Sequence, residues 1–144
     1  MDYRLTTFDD LAEGQQASFS KTITEADISH FVAFTGDVNP LHVDEEFARR
    51  TFFGHRIAQG MLSASLFSTL IGTALPGVGA IYRSQTLEFL RPVYIGDTLT
   101  ATFTIIRIDR DDERIELEGG ISNQNGDKVI RGMAVASLMR GMVA

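Results

Sequence analysis

Residues 57–82 carry no charged side chain, and this constrains the fold more than any other feature of the sequence. A helix that crosses a membrane needs about 20 mostly apolar residues, so a segment of this length must be weighed against that alternative. Pro76 and the glycines after it end any helix near Leu75, and six Ser, Thr and Gln side chains lie before them. We therefore predict a helix over about residues 58–74 that is buried in a protein core and not in lipid.

The sequence after this helix changes to the two-residue period of β-strands. Between Thr98 and Ile105, apolar residues alternate with threonines, which predicts a strand with one buried face. The apolar phase shifts after Ile105, which indicates a bulge. Further strands are predicted over residues 81–90, 114–122 and 128–139, and one over residues 16–23 before the helices.

Two shorter helices are predicted between the first strand and the uncharged helix. Thr24 followed by Asp27 forms the pattern of a capping box, and Gly36 is a typical helix end. Ile23 and Ile28 are spaced as the apolar pair that often flanks such a cap. A second helix is expected over residues 44–50, with acidic residues in its first turn.

The order of these elements predicts the fold class. One strand, then helices, then four strands in succession is typical of an α+β protein with an antiparallel sheet. Since a helix that is apolar on all sides must be covered, we expect the sheet to wrap around the long central helix, which is the arrangement of a hot-dog fold. With 144 residues, no repeat and no linker, the chain is expected to form a single domain over residues 1–144.

Composition argues against several function classes. The net charge is −6 and no basic run occurs, so nucleic acids and anionic membranes are poor candidates for partners. The chain has no cysteine, which excludes disulfides, thiolate metal sites and cysteine nucleophiles. The first ten residues lack the apolar stretch of a signal peptide, so we predict a cytoplasmic protein, with the lumen of an organelle as the alternative.

Asp37 and His42 are the first candidates for catalytic residues. Asp37 follows the expected helix end, where the helix dipole is negative and a carboxylate is suited to accept a proton. His42 lies beyond Asn39-Pro40, which must bend the chain, so the two side chains could face each other and hold one water. Two alternatives stay open: Asp37 could be a turn residue that bonds its own backbone, and His42 a structural histidine.

Two further interpretations concern the residues around this pair. Asp37, Asn39, His42 and Asp44 resemble the start of a calcium loop, but the glycine that such a loop needs is absent and Pro40 interrupts it, so no metal is expected. Gly60 lies near the start of the central helix, where free backbone N–H groups could stabilise a carbonyl oxygen as it gains charge. Alternatively, Gly60 simply allows close packing. We expect His55 and Arg56 to be solvated.

The sequence resembles the MaoC-like, (R)-specific enoyl-CoA hydratase family over almost its whole length. The resemblance lies in the segments 34–42, 53–62 and 85–97, and its most specific part is Gly36-Asp-Val-Asn-Pro-Leu-His42. One departure is Gln59, since these hydratases often have His directly before the glycine that corresponds to Gly60. We expect this change to alter local hydrogen bonds without abolishing activity.

The resemblance implies a hot-dog homodimer that reversibly adds water to trans-2-enoyl thioesters of coenzyme A or acyl carrier protein, without a cofactor. Asp37 and His42 would match the catalytic dyad, and the amide of Gly60 would match the group that polarises the thioester carbonyl. Spacing along the central helix then predicts Ala64, Ser68 and Ile71 as the wall of the acyl site. A hot-dog thioesterase and a non-catalytic acyl-thioester-binding subunit are the alternatives.

Overall fold

Six antiparallel strands form one sheet that curls around a long helix, and the computed structural model describes this arrangement for residues 3–141. The strands are β1 (Gln16–Thr22), β2 (Ala80–Gln85), β3 (Glu88–Phe89), β4 (Thr98–Asp109), β5 (Arg114–Ser122) and β6 (Lys128–Leu138). The helices are a 3₁₀ turn (Phe8–Asp10), α1 (Glu25–Thr35), α2 (Pro40–Val43), α3 (Glu45–Arg49) and α4 (Gly60–Thr73). The strand order is β1-β4-β5-β6-β2, with β3 also paired to β6. The predicted α+β hot-dog architecture is confirmed.

The alternating pattern of β4 sets which face of the sheet packs against α4. The apolar side chains from Leu99 to Ile105 are fully buried, and the threonines between them lie on the outer face. There the hydroxyls of Thr100 and Thr102 bond serine hydroxyls of β1, each at 2.8 Å. On the inner face, the rings of Phe67 and Phe103 lie 4.6 Å apart. The expected bulge is present as a shift of register after Ile105.

Helix α1 begins and ends where its capping residues predict. The Thr24 hydroxyl accepts from the backbone N–H of Asp27, whose carboxylate in turn accepts from the N–H of Thr24. Gly36 ends the helix with a φ of 75°, a conformation that glycine adopts without strain. Ile23 and Ile28 are both buried in the core. These contacts fix the point at which the chain leaves α1 towards Asp37.

The predicted strand over residues 81–90 is wrong as a single element. It is broken into β2 and β3, with Thr86 and Leu87 between them. The physical reason lies on the neighbouring strand β6, where a Cβ at Gly132 would be only 1.8 Å from the carbonyl oxygen of Thr86. Glycine at position 132 thus lets the chain approach β6 closely and turn the Leu87 side chain against the core.

The expectation that the sheet covers α4 on all sides also needs correction. One face of the helix is buried, but Met61, Ser65 and Ser68 on another face are exposed. The sheet therefore covers the helix only in part and leaves an open side near its amino terminus. Within residues 3–141, no helix is both long enough and apolar enough to span a membrane.

Candidate active site

The bend between α1 and α2 brings an acid and an imidazole together. The Asp37 Oδ1 atom accepts from the backbone N–H of Asn39 at 3.2 Å, and Asn39 Oδ1 accepts from the N–H of Leu41 at 3.1 Å. Pro40 is the first residue of α2, a position at which a backbone N–H would have no partner within the helix. Asp37 thus forms a turn with one oxygen, as the structural alternative predicted, while its Oδ2 atom faces His42.

His42 is held by a bond that fixes its tautomer. The residue is only 9% exposed, and its Nδ1 atom lies 2.7 Å from the carbonyl oxygen of Ile57. Because a carbonyl can only accept, Nδ1 carries the proton, and in the neutral ring the lone pair is on Nε2. Ile57 is placed for this bond because its own N–H donates to the carbonyl of Leu41.

The Nε2 atom of His42 lies 3.9 Å from Oδ2 of Asp37. This distance is too long for a direct hydrogen bond, but one water can lie at about 2.8 Å from both atoms. Both atoms accept hydrogen bonds when the ring is neutral and the carboxylate is ionised, so they would take both protons of that water. Its lone pairs then point away from the protein groups, which is the orientation that a nucleophilic water needs.

Gly60 begins α4 beside this pair. It is the first residue of the helix, and the side chain of the preceding Gln59 does not cap the N–H groups of that first turn. A Cβ at this position would lie 2.7 Å from the ring of Phe89, so close packing is one reason for glycine here. Both interpretations of Gly60 are therefore compatible with the geometry, since the absence of a side chain also leaves its N–H open to a ligand.

Five of the six predicted site residues line one cavity of about 900 Å³. They are Asp37, His42, Gly60, Ala64 and Ser68. The sixth, Ile71, is not part of this lining. Ile71 is buried in the hydrophobic core one turn beyond Ser68. It therefore packs behind the cavity wall and, contrary to the prediction, does not form part of it.

A second cavity of about 500 Å³ meets the first at His42 and Gly60. Its lining is mostly apolar and includes Phe53 and Phe89, with Arg91 also on the wall. His42 and the start of α4 therefore lie between the two cavities, and Asp37 lies on the side of the first. This is the arrangement that a substrate with a reactive centre between two long arms requires.

Strand β2 supplies cavity residues that the sequence analysis missed. Tyr82, Arg83 and Gln85 all line the large cavity. Burial raises the pKa of Tyr82 to about 12, and its hydroxyl donates to the Oε1 atom of Gln85. Their spacing in the sequence gives them no role in the site, because only the packing of β2 beside the open side of α4 brings them there.

Arg56 was expected to be solvated, and this is wrong. Its side chain is only 18% exposed and donates to both carboxylate oxygens of Glu25, at 2.9 and 2.5 Å. Glu45 lies on its other side, at 3.6 Å from Nε. Arg56 therefore ties the start of α1 to the segment before α4. His55 is largely exposed, as expected, although its Nδ1 lies 2.8 Å from Glu45.

Replacing Arg56 by methionine should lower the free energy of unfolding by about 1–2 kcal/mol, because it removes charge-assisted bonds between a largely buried guanidinium and a carboxylate that is 59% exposed. The matched variant Arg49→Met, in an exposed ion pair with Glu46, should change it by about 0.5 kcal/mol or less. Both values are measured by urea unfolding. Equal effects of the two substitutions would contradict the assigned role of Arg56.

The same ion pair predicts how this difference depends on pH. The bonds from Arg56 hold the pKa of Glu25 below its ordinary value of 4.5. The carboxylate therefore stabilises the fold above the unfolded pKa, and this contribution is lost as the pH falls through the lower, folded pKa. We expect the difference in free energy of unfolding between wild type and Arg56→Met to become smaller at acidic pH. Urea unfolding at a series of pH values measures this difference.

The residues that resemble a calcium loop have other roles. The Asn39 side chain bonds Leu41, and Oδ1 of Asp44 accepts from the N–H of Phe47 and caps α3. In the part of the chain that the structure describes, no three His, Asp or Glu side chains converge as metal ligands do.

Comparison with known proteins places the fold and the motif in one family. A family model described as a MaoC like domain matches residues 9–126. An (R)-specific enoyl-CoA hydratase of Rhodospirillum rubrum is 54% identical over 104 residues, which cover 72% of this chain and 72% of that protein. A protein of the same name from Aeromonas caviae is 42% identical over 128 residues, or 89% of this chain and 96% of its own.

Solved structures agree with this assignment. The R-hydratase PhaJ1 from Pseudomonas aeruginosa, in its unliganded form, matches with a TM-score of 0.89 and 37% identity. The match covers 97% of this chain and 92% of that one. The resemblance predicted from the sequence is confirmed, and the chain belongs to the MaoC-like domain family.

Proposed function

We propose that this protein reversibly hydrates trans-2-enoyl-CoA thioesters to (R)-3-hydroxyacyl-CoA. The observation that carries the proposal is the 3.9 Å separation of His42 Nε2 and Asp37 Oδ2, two acceptors that can share one water in the cavity that Gly60 also lines. Relatives named (R)-specific enoyl-CoA hydratase and 3-hydroxybutyryl-CoA dehydratase support the same reaction class.

Two parts of the site would carry out the reaction: the Asp37–His42 dyad and the N–H of Gly60. The dyad takes a proton from the water while the water oxygen bonds to the β-carbon. At the same time, the electron pair of the double bond moves towards the thioester oxygen. The N–H of Gly60 stabilises the negative charge that develops there. A proton then passes from the dyad to the α-carbon and completes the 3-hydroxyacyl product. Each proton lost by water is accounted for, and the step needs no redox partner.

The two cavities suit the two arms of a thioester substrate. We assign the acyl chain to the large cavity, where Ala64 and Ser68 present small side chains beyond Gly60. The second cavity, with Arg91 in its wall, would take the arm of the carrier. The identity of that carrier, coenzyme A or acyl carrier protein, and the cytoplasmic location stay predictions.

The proposed activity is tested by a screen of trans-2-enoyl-CoAs of increasing chain length with the purified chain. Hydration removes the conjugated double bond, so the absorbance of the enoyl thioester should fall upon addition of protein. Failure to consume any member of the series would overturn the proposal. The order of rates along the series would define the acyl preference.

We also propose that the protein is a homodimer joined at the β2 edge of the sheet. An edge strand presents unpaired backbone groups, and pairing it with a second copy removes this liability. The large cavity is open beside β2, and its rim carries the exposed apolar side chains of Phe34 and Met61. A partner seated there would cover these side chains and close the cavity.

Light scattering at micromolar concentration should therefore give twice the mass of one chain. Ile81→Glu, on β2, should shift the protein to monomer and reduce activity, because it places a charge at the proposed interface. Ile106→Glu, at the bulge of β4, alters a side chain of similar exposure (44% against 37% for Ile81) and should leave the dimer intact. A fully active wild-type monomer would refute the proposed dimer.

A further inference from the structure

Gln59 is a buried polar side chain whose amide has no hydrogen-bond partner within the part of the chain that the structure describes. It is 2% exposed, and neither its Oε1 nor its Nε2 atom has a hydrogen bond among residues 3–141. It precedes Gly60 directly and does not cap α4 with its side chain. Since nearly all buried polar groups in folded proteins are bonded, an amide left in this state calls for a partner that is absent from the free chain.

The position of Gln59 indicates where that partner lies. Gln59 lines the large cavity together with His42 and Gly60. Two other polar side chains of the same lining are already bonded within the protein: Thr35 donates to the carbonyl of Phe31, and Ser65 to that of Leu62. Gln59 is therefore a buried donor still available at the start of α4.

We propose that the Gln59 amide donates a second hydrogen bond to the thioester oxygen of the substrate, beside the N–H of Gly60. This inference rests on the proposed hydration. As water bonds to the β-carbon, the electron pair of the double bond delocalises onto the thioester oxygen, and two donors hold that charge better than one. The charge returns as the α-carbon takes its proton, so Gln59 itself exchanges no proton.

A purely structural role for Gln59 predicts a different result. An amide that stabilised the fold would have partners in the free protein, and its removal would lower stability. An amide that is unpaired until substrate binds makes the free protein less stable than an apolar side chain of similar size would. The change in melting temperature therefore separates the two roles, independently of activity.

The test compares Gln59→Leu, Gln59→Glu and a matched control, Gln16→Leu, with wild type. Gln16 lies on β1 outside both cavities, and its exposed amide donates to the hydroxyl of Thr104. Gln59→Leu should lower kcat about 10²–10³-fold, the usual effect of losing one such donor, with a much smaller change in KM. Its melting temperature should be unchanged or higher. Gln16→Leu should keep the wild-type kcat.

Gln59→Glu keeps the shape of the side chain and adds a readout that packing alone would not move. A protonated carboxyl can still donate, whereas the ionised form cannot and would repel the developing charge. The activity of Gln59→Glu relative to wild type should therefore fall as the pH rises through the pKa of the new carboxyl, by about tenfold or more. This variant also decides the question if Gln59→Leu does not fold.

Each outcome separates this inference from the proposed function. A wild-type protein that hydrates no enoyl-CoA overturns both. An active wild type with a folded Gln59→Leu of normal kcat overturns the role of Gln59 alone. A second combination of results would also overturn the role of Gln59. In it, Gln59→Leu has both a lower melting temperature and a lower kcat than wild type, and the pH profile of Gln59→Glu parallels that of wild type.

Discussion

Replacing either Asp37 or His42 by alanine should lower turnover of enoyl-CoA by about 10²–10⁴-fold while the fold stays intact, because each supplies half of one water-binding unit. Their acceptor atoms lie 3.9 Å apart, so a water that has lost one of them has neither a fixed orientation nor a base in place. The measurement is kcat for crotonyl-CoA, with circular dichroism to show that each variant is folded.

The double variant distinguishes a dyad from two independent groups. If the residues act as a unit, removing both should be scarcely worse than removing one, whereas independent effects would multiply. His30→Ala is a suitable control, because His30 is an exposed histidine on α1 outside the large cavity. Near-normal hydration by a folded Asp37→Ala or His42→Ala variant would show that the dyad is assigned wrongly.

Ser68→Leu should shift the substrate preference towards short acyl chains. The new side chain would fill the proposed acyl site one turn beyond Ala64, so each methylene of the substrate would lose contacts worth about 0.8 kcal/mol. From four to eight carbons this amounts to about two orders of magnitude in relative kcat/KM. The four-carbon substrate should be least affected.

The control for this substitution is Thr69→Leu, which adds a similar side chain at the next position of α4. Thr69 lies outside the large cavity and lines a smaller one together with Phe19 of β1. Thr69→Leu should leave the relative kcat/KM for four-, six- and eight-carbon enoyl-CoAs unchanged. If Ser68→Leu leaves the profile unchanged as well, the acyl chain lies elsewhere.

Local signals in the sequence predicted much of the fold. The capping box at Thr24 and the glycine at position 36 fixed both ends of α1, because these residues act within one turn of chain. The bounds of β5 were predicted correctly from its composition and flanking turns. Helix α2 was missed, since its four residues are too few to show a helical period.

The features that sequence could not predict depend on contacts between distant residues. The break between β2 and β3 requires Gly132 on another strand, and the burial of Arg56 requires Glu25, which lies 31 positions earlier. In the site, the spacing of Asp37 and His42 predicted their meeting across a bend. It did not predict the carbonyl of Ile57 that sets the histidine tautomer, since that contact depends on how α2 packs before α4.

The most direct test of this account follows the enoyl chromophore and the free thiol of coenzyme A in one reaction of crotonyl-CoA with the wild-type protein. Addition of water to the β-carbon predicts loss of the chromophore without release of thiol, and a product that is (R)-3-hydroxybutyryl-CoA. Release of thiol would mean that water attacks the thioester carbonyl, as in a thioesterase. That result, or a chromophore that persists, would contradict the assignment of Asp37 and His42 to hydration.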